Sequence, residues 1–225
     1  MAFDIYAGTL SRYYLGDWEN EVQHSSRANG LDYNVIRPGE ENDEKDVISK
    51  LEMIEIIKNW LQFISPALGV NLEFLENLGH EYFTKRINNF DNFYLLNCFI
   101  YLSDEDLINI NELSDSLKLK EVEIIAEKNS EFIYFGQIEA WFPLELPGSG
   151  IYEFEFPNNK DILFSSVSKM MHELDLMEQK LINYRANIIE FIGSDDLLLL
   201  NEDIKNMRET AEFSIKNKVP IILDY

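Results

Sequence analysis

From Val167 to Ile192 a stripe of mostly apolar residues runs along the chain. Val167, Met170, Met171, Leu174, Met177, Leu181, Arg185, Ile188 and Ile192 follow one another by one to four residues, the repeat of a helix that turns one face to a core. A helix over 166–192 is roughly 40 Å long and needs a broad apolar surface to lie on. The residues before it read as that surface. Segments 121–127 (EVEIIAE), 131–142 (EFIYFGQIEAWF), 151–156 (IYEFEF) and 161–164 (DILF) have the composition of strands, separated by turns at Asn129-Ser130, Pro147-Gly148-Ser149-Gly150 and Pro157-Asn158-Asn159. They predict an antiparallel meander of about four strands. In IYEFEF the alternation is strict: Tyr152, Phe154 and Phe156 fall on one side, suited to packing on the long helix, and Ile151, Glu153 and Glu155 on the other.

The flanking segments complete an α+β reading. Residues 2–7 predict a short strand ended by Gly8, and 9–46 read as loop with one short helix around 18–28. Residues 47–64 predict a helix buried on most sides, with Glu52, Glu55, Asn59 and Gln62 as a narrow polar stripe and Ser65-Pro66 as its stop. A short helix is expected at 72–78. From Phe83 the apolar steps through Ile87, Phe90, Tyr94, Cys98 and Leu102 favour a helix, and Ser103 with Asp104, Glu105 and Asp106 opens another near 104–117. The C-terminal part predicts a helix at 202–217, then a buried strand in KVPIILDY tied into the sheet. The organisation is a helix-rich N-terminal half, the meander, the long helix, and a C-terminal helix and strand. All of it is one domain over 1–225, with a soft boundary near 118–121.

Charge narrows the function classes. The 225 residues carry 41 Asp and Glu against 19 Lys and Arg, a formal net charge of −22. Such a surface repels phosphates and anionic lipid, so neither nucleic acid nor membrane is an expected partner; it attracts basic proteins and cations. A single cysteine, Cys98, allows no internal disulfide and fits a reducing compartment. The opening MAFDIYAGTL lacks a basic region followed by an apolar run, so no signal peptide is expected and the cytoplasm is the expected location.

Searches for chemistry return little. The three histidines, His24, His80 and His172, are far apart, and neither His80-Glu81 nor His172-Glu173 has a second histidine four residues on, so no zinc helix, metal site or cofactor site is expected. In PGSGI the glycines flank Ser149 directly, as in a turn and unlike a nucleophile elbow. No catalytic residue stands out. One cluster near the start, Arg12, Tyr13, Tyr14, Asp17, Trp18 and Glu19, is a candidate small-molecule site because loops after strands often carry sites. It supports the alternative of a carboxylate-dependent enzyme acting on a small substrate.

The stronger lead is a lack of positive charge. Lys and Arg are absent from 87–117 and from 129–159. The second window holds Glu131, Glu139, Glu145, Glu153 and Glu155, with Trp141 as the expected exposed aromatic anchor. Aromatic anchors within an acidic rim suit a basic protein surface, while glutamates on the open face of a sheet also deter edge-to-edge aggregation and need no partner. The stretches FDIYAGTLSRYYLGDWENEVQ and AEFSIKNKVPIILDY resemble the two ends of bacterial cytoplasmic proteins of the toxin-immunity type. That resemblance implies a non-enzymatic, stoichiometric inhibitor, acidic because the toxin domain it covers is basic. It carries over no individual residue, and it leaves the oligomeric state open.

Overall fold

The computed structural model describes residues 2–31, 49–76, 81–106, 115–129, 132, 135–146, 150–156 and 161–224. Six strands form one mixed sheet: β1 (Phe3–Ala7), β2 (Phe83–Ile87), β3 (Ala140–Phe142), β4 (Ile151–Glu155), β5 (Asp161–Ser166) and β6 (Ile221–Asp224). Their spatial order is β2-β1-β6-β3-β5-β4. Every neighbouring pair is antiparallel except β3 and β5, which run parallel with Ala140 opposite Phe164.

The fold is therefore α+β, but the sheet is not the expected four-stranded meander. The chain leaves β3, skips a place to form the edge strand β4, and returns as β5 between them. Burial explains this order. β5 buries most of its length and β6 is apolar on both faces, so both belong inside a sheet that is covered on two sides. β4 has two exposed glutamates and only half-buried aromatics, the composition of an edge that resists further pairing. The C-terminal strand is tied into the sheet, as its apolar run predicts; its place between β1 and β3 is not something that run indicates.

Alternation along the strands divides the interior into two cores. Phe3, Ile5, Ala7, Trp141, Ile221 and Leu223 face one side. There they meet α4 (Phe90–Phe99), α5 (Asp115–Glu127), α6 (Val167–Asn183), α7 (Arg185–Ile192) and α8 (Ser194–Asn217). Tyr6, Ala140, Phe142, Ile162, Phe164 and Ile222 face the other side. They are covered by α1 (Leu10–Tyr14), α3 (Lys50–Leu68) and a 3₁₀ turn at Glu73–Glu76. A short surface helix, α2 (Glu21–Ala28), begins with a capping box between Asn20 and Gln23.

Several expected elements change. Residues 83–87 are a strand, with Phe3 opposite Ile87; five residues are too few for apolar spacing to separate the two periods. Residues 121–127 belong to helix α5, where Val122 and Ala126 are buried one turn apart. Residues 104–106 are helical, and most of the helix expected near 104–117 lies outside the described residues. Among the described residues of 131–142, Ala140–Phe142 is the strand, preceded by a 3₁₀ turn at Phe135–Gln137. The long helix is interrupted at Tyr184, which closes α6 and opens α7. Leu181 and Ile188 stay in the same core across the break, so the apolar stripe does not reveal it. The C-terminal helix begins at Ser194, eight residues earlier than its amphipathic pattern suggests.

Helix α3 is not buried on most sides. Ile54, Ile57, Trp60, Leu61, Ile64 and Leu68 face the core, while Leu51 and Phe63 are 79% and 74% exposed. Nor does Pro66 end it. The helix continues to Leu68 and stops at Gly69, whose φ of 68° is the left-handed cap that favours glycine.

Candidate functional site

The two regions singled out in the sequence meet at one end of the sheet. β6 ends there with Asp224, β4 ends with Glu155, and β5 begins with Asp161, which lies opposite Glu155. Glu139 enters β3 at the same end; its N–H donates to Leu163 O (2.9 Å) and its carbonyl accepts from Leu223 N (3.2 Å). Asp4 of β1 lies opposite Asp224. Five strands thus bring five carboxylates to one rim.

A cavity of about 640 Å³ opens beside this rim, on the α1–α3 side. Its wall includes Tyr13 and Tyr14 of α1, Trp60 of α3, Phe142 of β3, Phe156 just past β4, and Ile162 and Ile222. Glu139, Gln137 and Asp224 supply polar groups. Among the described residues lining it, none is Lys, Arg or His.

Each wall residue is held by local geometry. Thr9 caps α1 by accepting from Arg12 N. The buried Glu76 carboxylate accepts from Leu10 N (2.7 Å), Ser11 N (3.3 Å) and the Ser11 hydroxyl (2.5 Å), satisfying donors that the first turn of a helix leaves open. Burial pushes the Glu76 carboxyl above its usual range, and these hydrogen bonds pull against that shift. The Tyr13 hydroxyl donates to Asp224 Oδ1 at 2.5 Å. Tyr14 stacks on Phe156 with centroids 4.5 Å apart, and Phe156 meets the edge of Trp60 at 4.9 Å. Trp60 Nε1 donates to Glu155 O at 2.8 Å, tying α3 to the end of β4.

The electrostatics are those of a negative rim. Burial raises the Tyr14 hydroxyl pKa above its ordinary value, and the charge of Glu139 adds to that shift; Tyr14 is a neutral phenol at physiological pH. Asp4 is also raised, chiefly by burial, with Arg86 opposing and Asp224 reinforcing the shift. Asp4 is engaged by Asn20 Nδ2 (2.9 Å) and Arg86 (3.4 Å).

The candidate residues fare differently from one another. Trp141 is not a surface anchor. It is 0% exposed, packs on Phe135 with centroids 4.9 Å apart, and its Nε1 finds no acceptor among the described residues. The alternation of β3 turns it into the five-helix core. Glu153 and Glu155 are exposed on edge strand β4. Glu139 is half-buried at the cavity. Glu145 is exposed but follows β3 at the opposite end of the sheet, so it does not join them. Glu131 lies outside the described residues.

Tyr152, Phe154 and Phe156 do not pack on the long helix. Tyr152 and Phe154 stack on Phe164, and Phe156 meets Trp60, all on the α3 side. Adding β4 outside β5 fixes which face its aromatics share; on the other face α6 packs on β3 and β5 and leaves Glu153 and Glu155 exposed.

The side chains of the cluster at Arg12–Glu19 go to different places. Arg12 lies over the Tyr82 ring at 5.3 Å, Asp17 pairs with Lys50 at 3.0 Å, and Glu19 pairs with Arg27. Trp18 is buried against Tyr6 and Tyr13. Only Tyr13 and Tyr14 reach the cavity. Trp60, Phe142, Phe156 and Asp224 were not candidates. No local pattern marks them, because Tyr13 and Asp224 are 211 residues apart in the chain.

Among the described residues no group of three or more His, Cys, Asp or Glu is placed to hold a metal ion, and no helix is long and apolar enough to cross a membrane. No family model matches this chain, and no curated protein and no solved structure matches it at a significant level.

Proposed function

We propose that this protein is a non-enzymatic acidic binding protein, of the immunity type, that covers a basic effector or toxin domain with the carboxylate-rich end of its sheet. The observation that carries the reading is that Asp224, Glu139, Asp161 and Glu155 reach the same end of the sheet from four strands, with Asp224 and Glu139 lining a cavity that has no basic residue among its described lining and Asp161 and Glu155 on the other face of the edge. Like charges at one end of a sheet repel one another, and a cationic partner relieves that repulsion. Glu153 and Glu155 stand exposed on the edge strand, where they steer a basic surface during encounter. Inhibition would follow from occlusion, without chemistry by this chain.

The test is co-purification from the native host at low salt, eluted by rising salt, with the wild type beside a Glu153→Lys/Glu155→Lys/Asp161→Lys triple variant. A basic partner held at one-to-one ratio by the wild type, lost from the triple variant and kept by Glu145→Lys is the expected result. Equal retention by all three proteins refutes the site.

The cavity itself favours one alternative, a carboxylate-dependent enzyme acting on a small substrate, with Glu139 and Asp224 as its acid–base pair. That reading requires a turnover that both Glu139→Gln and Asp224→Asn abolish.

A further inference from the structure

We propose that the cavity walled by Tyr13, Tyr14, Trp60 and Phe156 receives a monovalent organic cation on an alkyl stem, the chemistry of a lysine or arginine side chain. This rests on the reading of the protein as a binder of basic partners and names the group that enters it.

Three features select this ligand class. The first is the wall. Tyr14 and Phe156 are stacked, Trp60 meets Phe156 edge-on, and Tyr13 meets Tyr14 edge-on at 5.2 Å, so rings in several orientations line one space. Ring faces carry negative quadrupole charge and attract cations that have shed some water. The second is the polar complement. Glu139 and Asp224 are the charged groups among the described lining residues, and the Tyr13 hydroxyl holds Asp224 at the wall. An anion would meet two carboxylates there, and a neutral ligand would gain nothing from their charge. The third is the space. About 640 Å³ is ample for a methylene stem and its charged head. A hard divalent ion is served poorly, because it needs six or more oxygen ligands and this wall is mostly carbon.

The same site explains how a basic surface would register on the rim. A side chain inserted into an aromatic pocket is an anchor with large, desolvated contact area, whereas Glu153 and Glu155 outside it contribute screened, long-range attraction.

The experiment is isothermal titration of the full-length protein with n-butylammonium, n-butylguanidinium and n-butanol at low ionic strength, together with octalysine at physiological ionic strength. The expected result is that at least one cation binds about ten-fold or more tightly than n-butanol. Glu139→Gln, which keeps the shape of the side chain, lowers that cation affinity several-fold, and Tyr14→Leu does the same with an unchanged far-ultraviolet circular dichroism spectrum. Equal binding of n-butanol and both cations, or cation binding indifferent to Glu139→Gln, overturns the proposal.

The octalysine arm separates this proposal from the one beneath it. If octalysine binds through Glu153, Glu155 and Asp161 while neither butyl cation binds, the cavity assignment fails and the basic-partner reading stands. If a butyl cation binds and octalysine does not, the cavity assignment stands with a free amine or guanidine as its source, and the basic-partner reading fails.

Discussion

Replacing Glu76 with alanine should loosen the wall of the cavity from behind. Glu76 is 2% exposed, and its two oxygens accept from three donors in the first turn of α1, the helix that carries Tyr13 and Tyr14. Leu10 and Ser11 are themselves buried, 2% and 1% exposed. In Glu76→Ala two backbone N–H groups and a hydroxyl lose their acceptor. Each buried unsatisfied donor costs about 1–3 kcal/mol, and water entering the vacated space recovers part of that. Removing a carboxylate that burial disfavours offsets more. The net loss is about 3 kcal/mol, or roughly 6–12 °C in melting temperature for a chain of this size.

Glu76→Gln keeps Oε1 as an acceptor for Leu10 N and removes the burial penalty of the charge, so its cost is about 1 kcal/mol or less. Urea melts followed by tryptophan fluorescence at pH 7 measure both variants. The sign with pH is set by burial, which raises the folded pKa of Glu76 above its ordinary 4.5. Between those two values the folded state binds more protons than the unfolded one, so stability rises as pH falls through the folded pKa and levels off below 4.5. The wild type should therefore gain on Glu76→Gln as the solution is acidified from pH 7. Two outcomes would sink the argument: an alanine variant within 0.5 kcal/mol of wild type, or a glutamine variant as unstable as alanine.

Other consequences are open to measurement. Asp4, Glu173 and Asp203 are raised like Glu76, each chiefly by burial, and the wild type should accordingly gain melting temperature as the pH is lowered from neutrality towards the ordinary carboxylate range; a melting temperature that only falls along that path contradicts the raised direction of these four groups. Phe164, 0% exposed, stacks with Phe142, Tyr152 and Phe154, and Phe164→Ala should cost about 3–5 kcal/mol by chemical denaturation; a loss under 1 kcal/mol means β5 is not the buried strand described. Burial pushes the Cys98 thiol up to about 12, so a disulfide reagent should leave it untouched until denaturant is added; prompt labelling of the native protein contradicts its packing. Trp60→Phe should cost about 1 kcal/mol through the lost bond to Glu155 O, read as a lowered urea midpoint with an unchanged slope.

Much of the fold was legible because period and burial agree where an element is long and one-faced. The stripe through Met170, Leu174, Met177 and Leu181 identifies a helix, and those side chains are indeed buried. IILD and FDIYA are buried strands at the two ends of the chain, as their apolar runs require. Short or two-faced segments were not legible. FTKRI and EVEIIAE carry too few apolar positions to choose between periods of 2 and 3.6, and pairing with β1 made one a strand while packing on α4 made the other a helix.

The sequence by itself determined the acidity, the two-layered alternation of the strands, and the presence of exposed glutamates at 153 and 155, since these are properties of composition and of a two-residue repeat. Tertiary structure alone decided that β4 lies outside β5, that Trp141 faces the core, and that Glu139 shares a cavity with Tyr13, Tyr14 and Asp224. The reason is physical. Local pattern fixes which way a side chain points relative to its own strand, but strand order and crossover decide what stands opposite it. Those depend on which faces can be buried together across the whole chain.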